Sequence, residues 1–307
     1  MSKIWDIAII GSGPAGMAAA LYASRAGRET VIIEKFFAGG QVFQTFHIEN
    51  YPGVKSIDGP SLTDIMADQS TSFGAELMIQ EIVSLDLKAQ PKEIHFKNGE
   101  TLLTKTIILA MGAQPKLMEV KGEEEFTGRG VSYCATCDGA FYRGKEVAVV
   151  GGGDSALEEA MFLTRFASKV SIIHRRNEFR ATKIIQDRIK AQENVELITP
   201  YVVKEVVGEG KMTGLILSNR ETGEERNLEA EGVFVYVGYA PNTELVTQQV
   251  ECQDNYILAD DRDMSTSVEG VFAAGDLRVK NLRQVVTAVA DGAIAAVSAD
   301  HYLNELE

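Results

Sequence analysis

Cysteine is scarce in this chain: 307 residues hold three, Cys134, Cys137 and Cys252. That excludes a scaffold stapled by several disulfides and, with no cleavable secretory leader before the first strand pattern, points to a reducing cytosol. Zinc needs about four ligands, and Cys252 with four scattered histidines supplies no second pair, so no metal site is expected. Long apolar runs are missing too. Nothing approaches the roughly 18 consecutive apolar residues of a membrane span. Positive charge is in deficit, 30 Lys and Arg against 44 Asp and Glu, for a net charge of −14. Nucleic acid and anionic membrane are therefore poor candidates for main partners. The length and a hydrophobic content of 45% suit a globular protein of two ordinary domains.

Two of the three cysteines stand together as Tyr133-Cys134-Ala-Thr-Cys137-Asp138-Gly139. A Cys-x-x-Cys pair closes a small disulfide ring whose opening and closing move two electrons. The thiolate is the reactive form, and Asp138 is placed to carry protons during exchange. A structural disulfide or inert buried thiols are the competing reading, which an intracellular chain disfavours. Cys252 reads as an inert thiol.

The chain on either side narrows the choice. Ile4 to Ile10 is an apolar run ending in Gly11-Ser-Gly13-Pro-Ala-Gly16, followed by a helix rich in small residues. This is the dinucleotide fingerprint: the glycines permit a tight turn, close approach of backbone N–H groups to a pyrophosphate, and contact of helix with strand. A second strand, Thr30 to Ile33, ends in Glu34, 23 positions after Gly11. A carboxylate for the adenosine ribose belongs about there. The fingerprint alone does not separate FAD from NAD. A helix is expected over 60–73, strands over 79–87, 93–96 and 106–109, and a hairpin turn at Lys97-Asn-Gly-Glu100.

A second fingerprint begins after the strand 145–150, as Gly151-Gly-Gly153-Asp154-Ser155-Ala156 and a helix over 157–166. The next strand, 170–173, ends in His174-Arg175-Arg176, with His174 again 23 positions after the first glycine. Here an imidazole and two guanidiniums stand in place of the acid. The guanidiniums attract and fork a ribose 2′-phosphate, so this site should take NADPH and disfavour NADH. Arg180 is expected one helical turn from Arg176, on the same face. Short strands with glycine turns over 199–227 match the meander of the first half. Val233 to Pro241 echoes Ile107 to Pro115, and both read as crossings between two related domains. Farther on, Glu269 to Asp276 reads as a strand ending at a carboxylate, and a helix follows over about 284–299.

A nicotinamide delivers a hydride, whereas a disulfide accepts electrons through thiolate chemistry. A flavin is the cofactor that links the two, which assigns FAD to the first site. Cys134-Ala-Thr-Cys137-Asp-Gly-Ala-Phe-Tyr142, Gly151 to Glu159, His174-Arg-Arg-Asn-Glu-Phe-Arg180, Glu49-Asn-Tyr-Pro-Gly53, Ala273-Ala-Gly-Asp276 and Arg283-Gln284 together resemble the low-molecular-weight bacterial thioredoxin reductases nearly end to end. The resemblance implies an α/β fold of two Rossmann-like, three-layer dinucleotide-binding domains: a discontinuous FAD domain, 1–114 and 242–307, with an inserted NADPH domain, 115–241, carrying the redox pair. It implies a cytoplasmic homodimer passing electrons from NADPH through FAD and the Cys134–Cys137 disulfide to thioredoxin.

On the same basis Gly11, Ser12, Gly13, Pro14, Ala15, Glu34, Lys35, Gly39, Gly40, Gln41, Asn50, Val83, Ala110, Gly112, Gly275, Asp276, Arg283, Gln284 and Val285 would line FAD. Gly153, Asp154, Ser155, His174, Arg175, Arg176, Arg180 and Gly238 would serve NADPH. Cys137 would face the flavin, Cys134 would attack the partner disulfide, and Asp138 would exchange protons. The family rotates its inserted domain, and the Gly–Pro crossings would be the hinge. Departures from the family pattern are Met111 in Ala110-Met-Gly112, the run Leu277-Arg-Val-Lys280, and Val285 in place of a frequent alanine. Arg129, Arg143 and Lys145 are candidates to steer an acidic partner. Two rivals remain: a flavoprotein of this fold serving another small redoxin or a peroxiredoxin-linked protein, though without the extra N-terminal redox modules of the latter, and a non-enzymatic redox sensor.

Overall fold

The computed structural model describes residues 3–45, 48 and 50–306. Glu49 and the side chains of Gln44, Thr136 and Cys137 lie outside the described set. By its contacts the chain forms two compact units, Met1–Gln114 with Ala240–Glu307, and Pro115–Tyr239.

The first unit opens with β1 (Ile4–Ile10), α1 (Pro14–Arg25) and β2 (Thr30–Glu34). It continues through α2 (Gly59–Thr71), β3 (Glu76–Ile79), β4 (Ile82–Asp86), β5 (Lys92–Phe96) and β6 (Thr101–Leu109). The sheet order is β3-β2-β1-β6-β5-β4. β1 runs parallel between β2 and β6, with Ile7 opposite both Thr30 and Thr106. A strand buried on both faces needs apolar side chains at every position, which is why it reads as a continuous run. Its period of two distributes them. Ala8 and Ile10 join Val31, Ile33 and Ile107 on one face, while Ile7 and Ile9 join Ala15, Ala19 and Ile32 on the other.

Asp58 caps α2, accepting the Ser61 N–H at 2.8 Å, the bond an N-cap carboxylate supplies. The single strand expected over 79–87 is two. β3 follows β2 in parallel and stops, and β4 turns to pair antiparallel with β5. Between them Glu81 is held by Lys35 at 2.8 Å and Lys97 at 2.7 Å. These two ammonium groups keep its carboxyl at about 2.

After β7 (Ala113–Pro115) come α3 (Glu123–Phe126), β8 (Val131–Ser132), α4 (Ala135–Asp138), β9 (Glu146–Gly151), α5 (Asp154–Leu163), β10 (Lys169–Ile173) and α6 (Lys183–Lys190). β11 (Val195–Ile198), β12 (Tyr201–Glu209), β13 (Lys211–Asn219), β14 (Glu225–Glu229) and β15 (Gly232–Tyr236) complete the second unit. Its parallel sheet has the order β11-β10-β9-β15-β8. The logic of the first unit repeats: Val147 and Val149 face α5, whereas Ala148 and Val150 face the meander. The meander differs in one respect. β12-β13-β14 form a sheet of their own rather than extending the parallel one.

β16 (Tyr239–Pro241) leads back and pairs with β7. The first unit then closes with β17 (Cys252–Gln253), β18 (Tyr256–Ile257), β19 (Val271–Ala273) and α7 (Val285–Leu306). β19 adds in parallel to β6, Val271 opposite Ile107. α7 runs past the expected end at 299. Its alanines and Gly292 press on α1 so closely that a Cβ at Gly292 would lie 2.0 Å from the Ala15 carbonyl oxygen. Among the described residues no helix is long and apolar enough to cross a membrane.

Candidate active site

In the first unit the fingerprint turn leaves β1 at Gly11, whose φ of +101° suits glycine and whose Cβ would meet the Ala110 carbonyl oxygen at 2.5 Å. Gly13 faces open space, Pro14 fills the first turn of α1, and no side chain caps that helix start. The N–H groups there are free for a phosphate. Glu34 ends β2, and its Oε2 accepts the Ser12 N–H at 3.1 Å and the Ser12 hydroxyl at 2.8 Å. Its Oε1 accepts the Lys35 and Phe36 N–H groups. The carboxylate is thus fixed beside the turn. Gly39 donates to the Ser12 carbonyl at 2.9 Å, and a Cβ on Gly40 would lie 3.2 Å from Gly13 Cα. Gln41 follows, exposed. Val83 lies on β4, three residues beyond Gln80, whose N–H donates to Glu34 O at 2.8 Å.

Asn50 Nδ2 donates to Gln284 Oε1 at 3.0 Å, bringing together two residues 234 positions apart. Val285 begins α7 directly after them. Ala110 N–H donates to Ile10 O. Asn242, not anticipated from sequence, donates to Met111 O at 2.8 Å and, through its backbone, to Gly112 O at 3.0 Å. Gly275 and Asp276 follow β19. Asp276 Oδ1 is buried with no hydrogen-bond partner. Burial raises this carboxyl, and Asp291 adds to the rise against Lys280 and Arg283. Arg283 donates to the Asp276 carbonyl at 3.3 Å and stacks over Tyr256 at 4.3 Å.

The redox segment belongs to the second unit. Cys134 is half-buried and disulfide-bonded, and Cys252 is free; the side chain of Cys137 lies outside the described set. Burial raises the Cys252 thiol, as an inert thiol would have it. Ser132 Oγ accepts the Cys134 N–H at 3.1 Å and donates back to its carbonyl at 3.2 Å. Ala135 N–H donates to the Tyr236 hydroxyl at 2.8 Å, and Asp138 N–H to the Cys134 carbonyl at 3.2 Å.

Buried Glu123 accepts the Tyr133 hydroxyl and the N–H groups of Met118 and Glu119. Burial, then Glu123, push the Tyr133 phenol up. Gly139 packs against Phe162 and Leu163 of α5. Glu159, also on α5, has a buried Oε2 with no partner, and burial beside Glu158 lifts its carboxyl to about 7. The proposed steering cations are engaged by their own unit: Arg129 donates to Glu125 O, Arg143 lies over Phe166, and Lys145 meets Glu231 at 3.8 Å.

The second fingerprint follows β9. A Cβ on Gly151 would lie 2.6 Å from the Cβ of Ala156, the small residue that ends the motif. Gly153 is open and Ser155 exposed at the start of α5, while Gly238 accepts the Lys116 N–H at 2.8 Å. His174 is buried and stacked on Phe179, with centroids 5.2 Å apart, and its Nε2 has no partner. Burial, then the neighbouring arginines, push its pKa down. Arg175, Arg176 and Arg180 are exposed, and none is paired with a carboxylate among the described residues. The expected helical turn between Arg176 and Arg180 is absent; α6 starts at Lys183. The segment is instead stitched to the fingerprint turn. Gly152 O accepts the N–H groups of Arg180 at 2.7 Å and Ala181 at 3.1 Å, and Asp154 Oδ1 accepts the Thr182 N–H at 2.6 Å.

A model of the pyridine nucleotide-disulphide oxidoreductase family matches residues 5–292. The chain belongs to that family. It is 49% identical to the thioredoxin reductase of Peptoclostridium litorale, over 100% of this chain and 99% of that protein. It is 46% identical to the bifunctional thioredoxin reductase/thioredoxin of Mycobacterium leprae, over 98% of this chain and 66% of that one. A crystal structure of Lactococcus lactis thioredoxin reductase superposes with a TM-score of 0.95, at 42% identity, covering 98% of this chain and 99% of that one. FAD and NADPH are the cofactors this family implies, and the residues fit both. The first unit offers an uncapped helix start, a fixed Glu34 and an orphaned Asp276 oxygen. The second offers a fingerprint turn with exposed guanidiniums beside it.

Proposed function

We propose that this chain is an NADPH-dependent thioredoxin-disulfide reductase, acting as a cytoplasmic homodimer. The observation that carries the reading is the union, in one unit, of a disulfide at Cys134 with a dinucleotide turn flanked by three guanidiniums that meet no carboxylate among the described residues. Arg175, Arg176 and Arg180 hold the 2′-phosphate, and the open N–H groups at Gly153 and α5 take the pyrophosphate. In the first unit the α1 start and Glu34 hold the adenosine half of FAD, while Asp276, Arg283 and Gln284 line its flavin half. When bound, FAD supplies the two-electron chemistry that links a hydride donor to a disulfide. Once the pair is reduced, the Cys134 thiolate attacks one sulfur of oxidised thioredoxin to give a mixed disulfide. The Cys137 thiolate then attacks Cys134 Sγ and releases the dithiol. Asp138 takes up and returns the thiol protons. Gly112 and Gly238, each ahead of a crossing proline, form the hinge about which the inserted domain turns.

Anaerobic titration of FAD-loaded protein tests this reading. Full reduction takes ~2 equivalents of NADPH per chain, one for the flavin and one for the disulfide, and Cys134→Ser takes one. Equal uptake by both proteins would remove the disulfide from the electron path.

A further inference from the structure

Asp291 lies on α7, far in sequence from every motif above, and is 5% exposed. Its carboxylate is a hub. Oδ2 accepts the Gly275 N–H at 3.0 Å, Arg278 Nε at 2.9 Å and Lys280 Nζ at 2.7 Å, while Oδ1 accepts Arg278 Nη2 at 3.0 Å. Arg278 and Lys280 are themselves buried, and Arg278 Nη1 reaches out to the exposed Asp261 at 2.7 Å. Three buried charges in one place are costly unless paired in a single arrangement, and here each partner bond fixes the others.

What they fix is a turn. Gly275, at a φ of +89°, is the pivot from β19, and the next residue is Asp276 with its orphaned Oδ1. One residue along α7 from Asp291, Gly292 presses on Ala15 of the first fingerprint. The same stretch of helix therefore braces both the phosphate-binding turn and the acidic turn.

We propose that Asp291 is a positioning residue for FAD, holding the Gly275–Asp276 turn, together with Arg278 and Lys280, in the conformation that aims the Asp276 carboxyl at the bound flavin. The proposal rests on the assignment of FAD to the first unit.

The test uses full-length apoprotein titrated with FAD, following flavin fluorescence, beside 2′,5′-ADP binding as a measure of the second unit. Asp291→Asn should weaken FAD at least tenfold, leave 2′,5′-ADP affinity unchanged, and shift the midpoint potential of bound flavin upward as the local anionic charge is lost. A double variant, Asp291→Asn with Lys280→Met, removes a cation along with the carboxylate and covers the case in which the single variant fails to fold. It should fold with an apoprotein melting curve like the wild type, regain most of the potential, and still bind FAD at least tenfold more weakly. FAD affinity within twofold of wild type in a folded variant, or weakening that only follows loss of the apoprotein melt, would overturn the proposal. Failure of wild-type apoprotein to take up FAD would instead overturn the FAD assignment itself.

Discussion

Replacing the arginines beside the second fingerprint should change cofactor choice without changing chemistry. Arg175, Arg176 and Arg180 are exposed and meet no carboxylate among the described residues, and the Gly152 carbonyl holds Arg180 beside the turn. Burial, then these same arginines, push the pKa of the neighbouring His174 down. The guanidiniums therefore supply the positive charge at this position. A charge-assisted bond at an open surface sits at the low end of its range, about a tenfold change in dissociation constant per contact. Arg176→Ala should raise the KM for NADPH roughly tenfold, and Arg175→Ala with Arg176→Ala roughly a hundredfold, with kcat retained, as for loss of uniform binding. Arg176→Lys keeps the charge but loses the planar fork and should fall between. NADH lacks the phosphate, so its KM should stay within about twofold. The assay is steady-state oxidation of each cofactor at constant ionic strength. A parallel rise for NADH, or none for NADPH, would show that the guanidiniums do not read the phosphate.

Glu159 gives the fold a pH signature. Its carboxyl is raised to about 7 from an ordinary 4.5, so the folded state holds a proton that the unfolded chain releases. The stabilisation is complete below about 4.5 and is lost as pH rises through about 7, by about 3 kcal/mol. Glu159→Gln should flatten this dependence in denaturant melts of holoprotein taken from pH 5 to 8; parallel curves for the two proteins would refute it. Gly152→Ala puts a methyl group 2.3 Å from the buried His174 ring. That ring must leave its stack on Phe179, loosening the Arg180 segment, so NADPH affinity should fall although no charge is removed. Unchanged affinity and melting temperature would show that the stack does not organise the site. A disulfide crosslink engineered between the two units should abolish turnover while leaving flavin absorbance intact, and reduction should restore it. Full turnover with the crosslink closed would remove the hinge.

The local geometry of the candidate site was legible where its residues obey local rules. Gly11, Gly13 and Glu34 sit at intervals fixed by one βαβ unit, and the same interval located the arginines. The path of the arginine segment was not legible. Spacing suggested a helical turn, whereas Gly152 O and Asp154 hold the backbone in an irregular loop, and such capture depends on tertiary contact. The break between β3 and β4 escaped for a related reason: Gln80-Glu81 interrupts the apolar residues of 79–87 without a glycine or proline turn signal, and only pairing with different neighbours separates the two strands. Asp291 could not be read at all. Its partners lie 11 to 16 positions away on a loop, and nothing in the sequence sets it apart from the other acids of the alanine-rich α7. Glu123, which ties Tyr133 to Met118 and Glu119, is equally silent in the pattern.

The most direct measurement is NADPH oxidation by FAD-loaded protein with thioredoxin from the same cell, beside an NADH control and the Cys134→Ser variant. Saturable, thioredoxin-dependent oxidation of NADPH, slow with NADH and absent in the variant, is the predicted result. Flavin reduction by NADPH with no dependence on thioredoxin would contradict the assigned acceptor, and turnover undiminished in Cys134→Ser would contradict the mechanism.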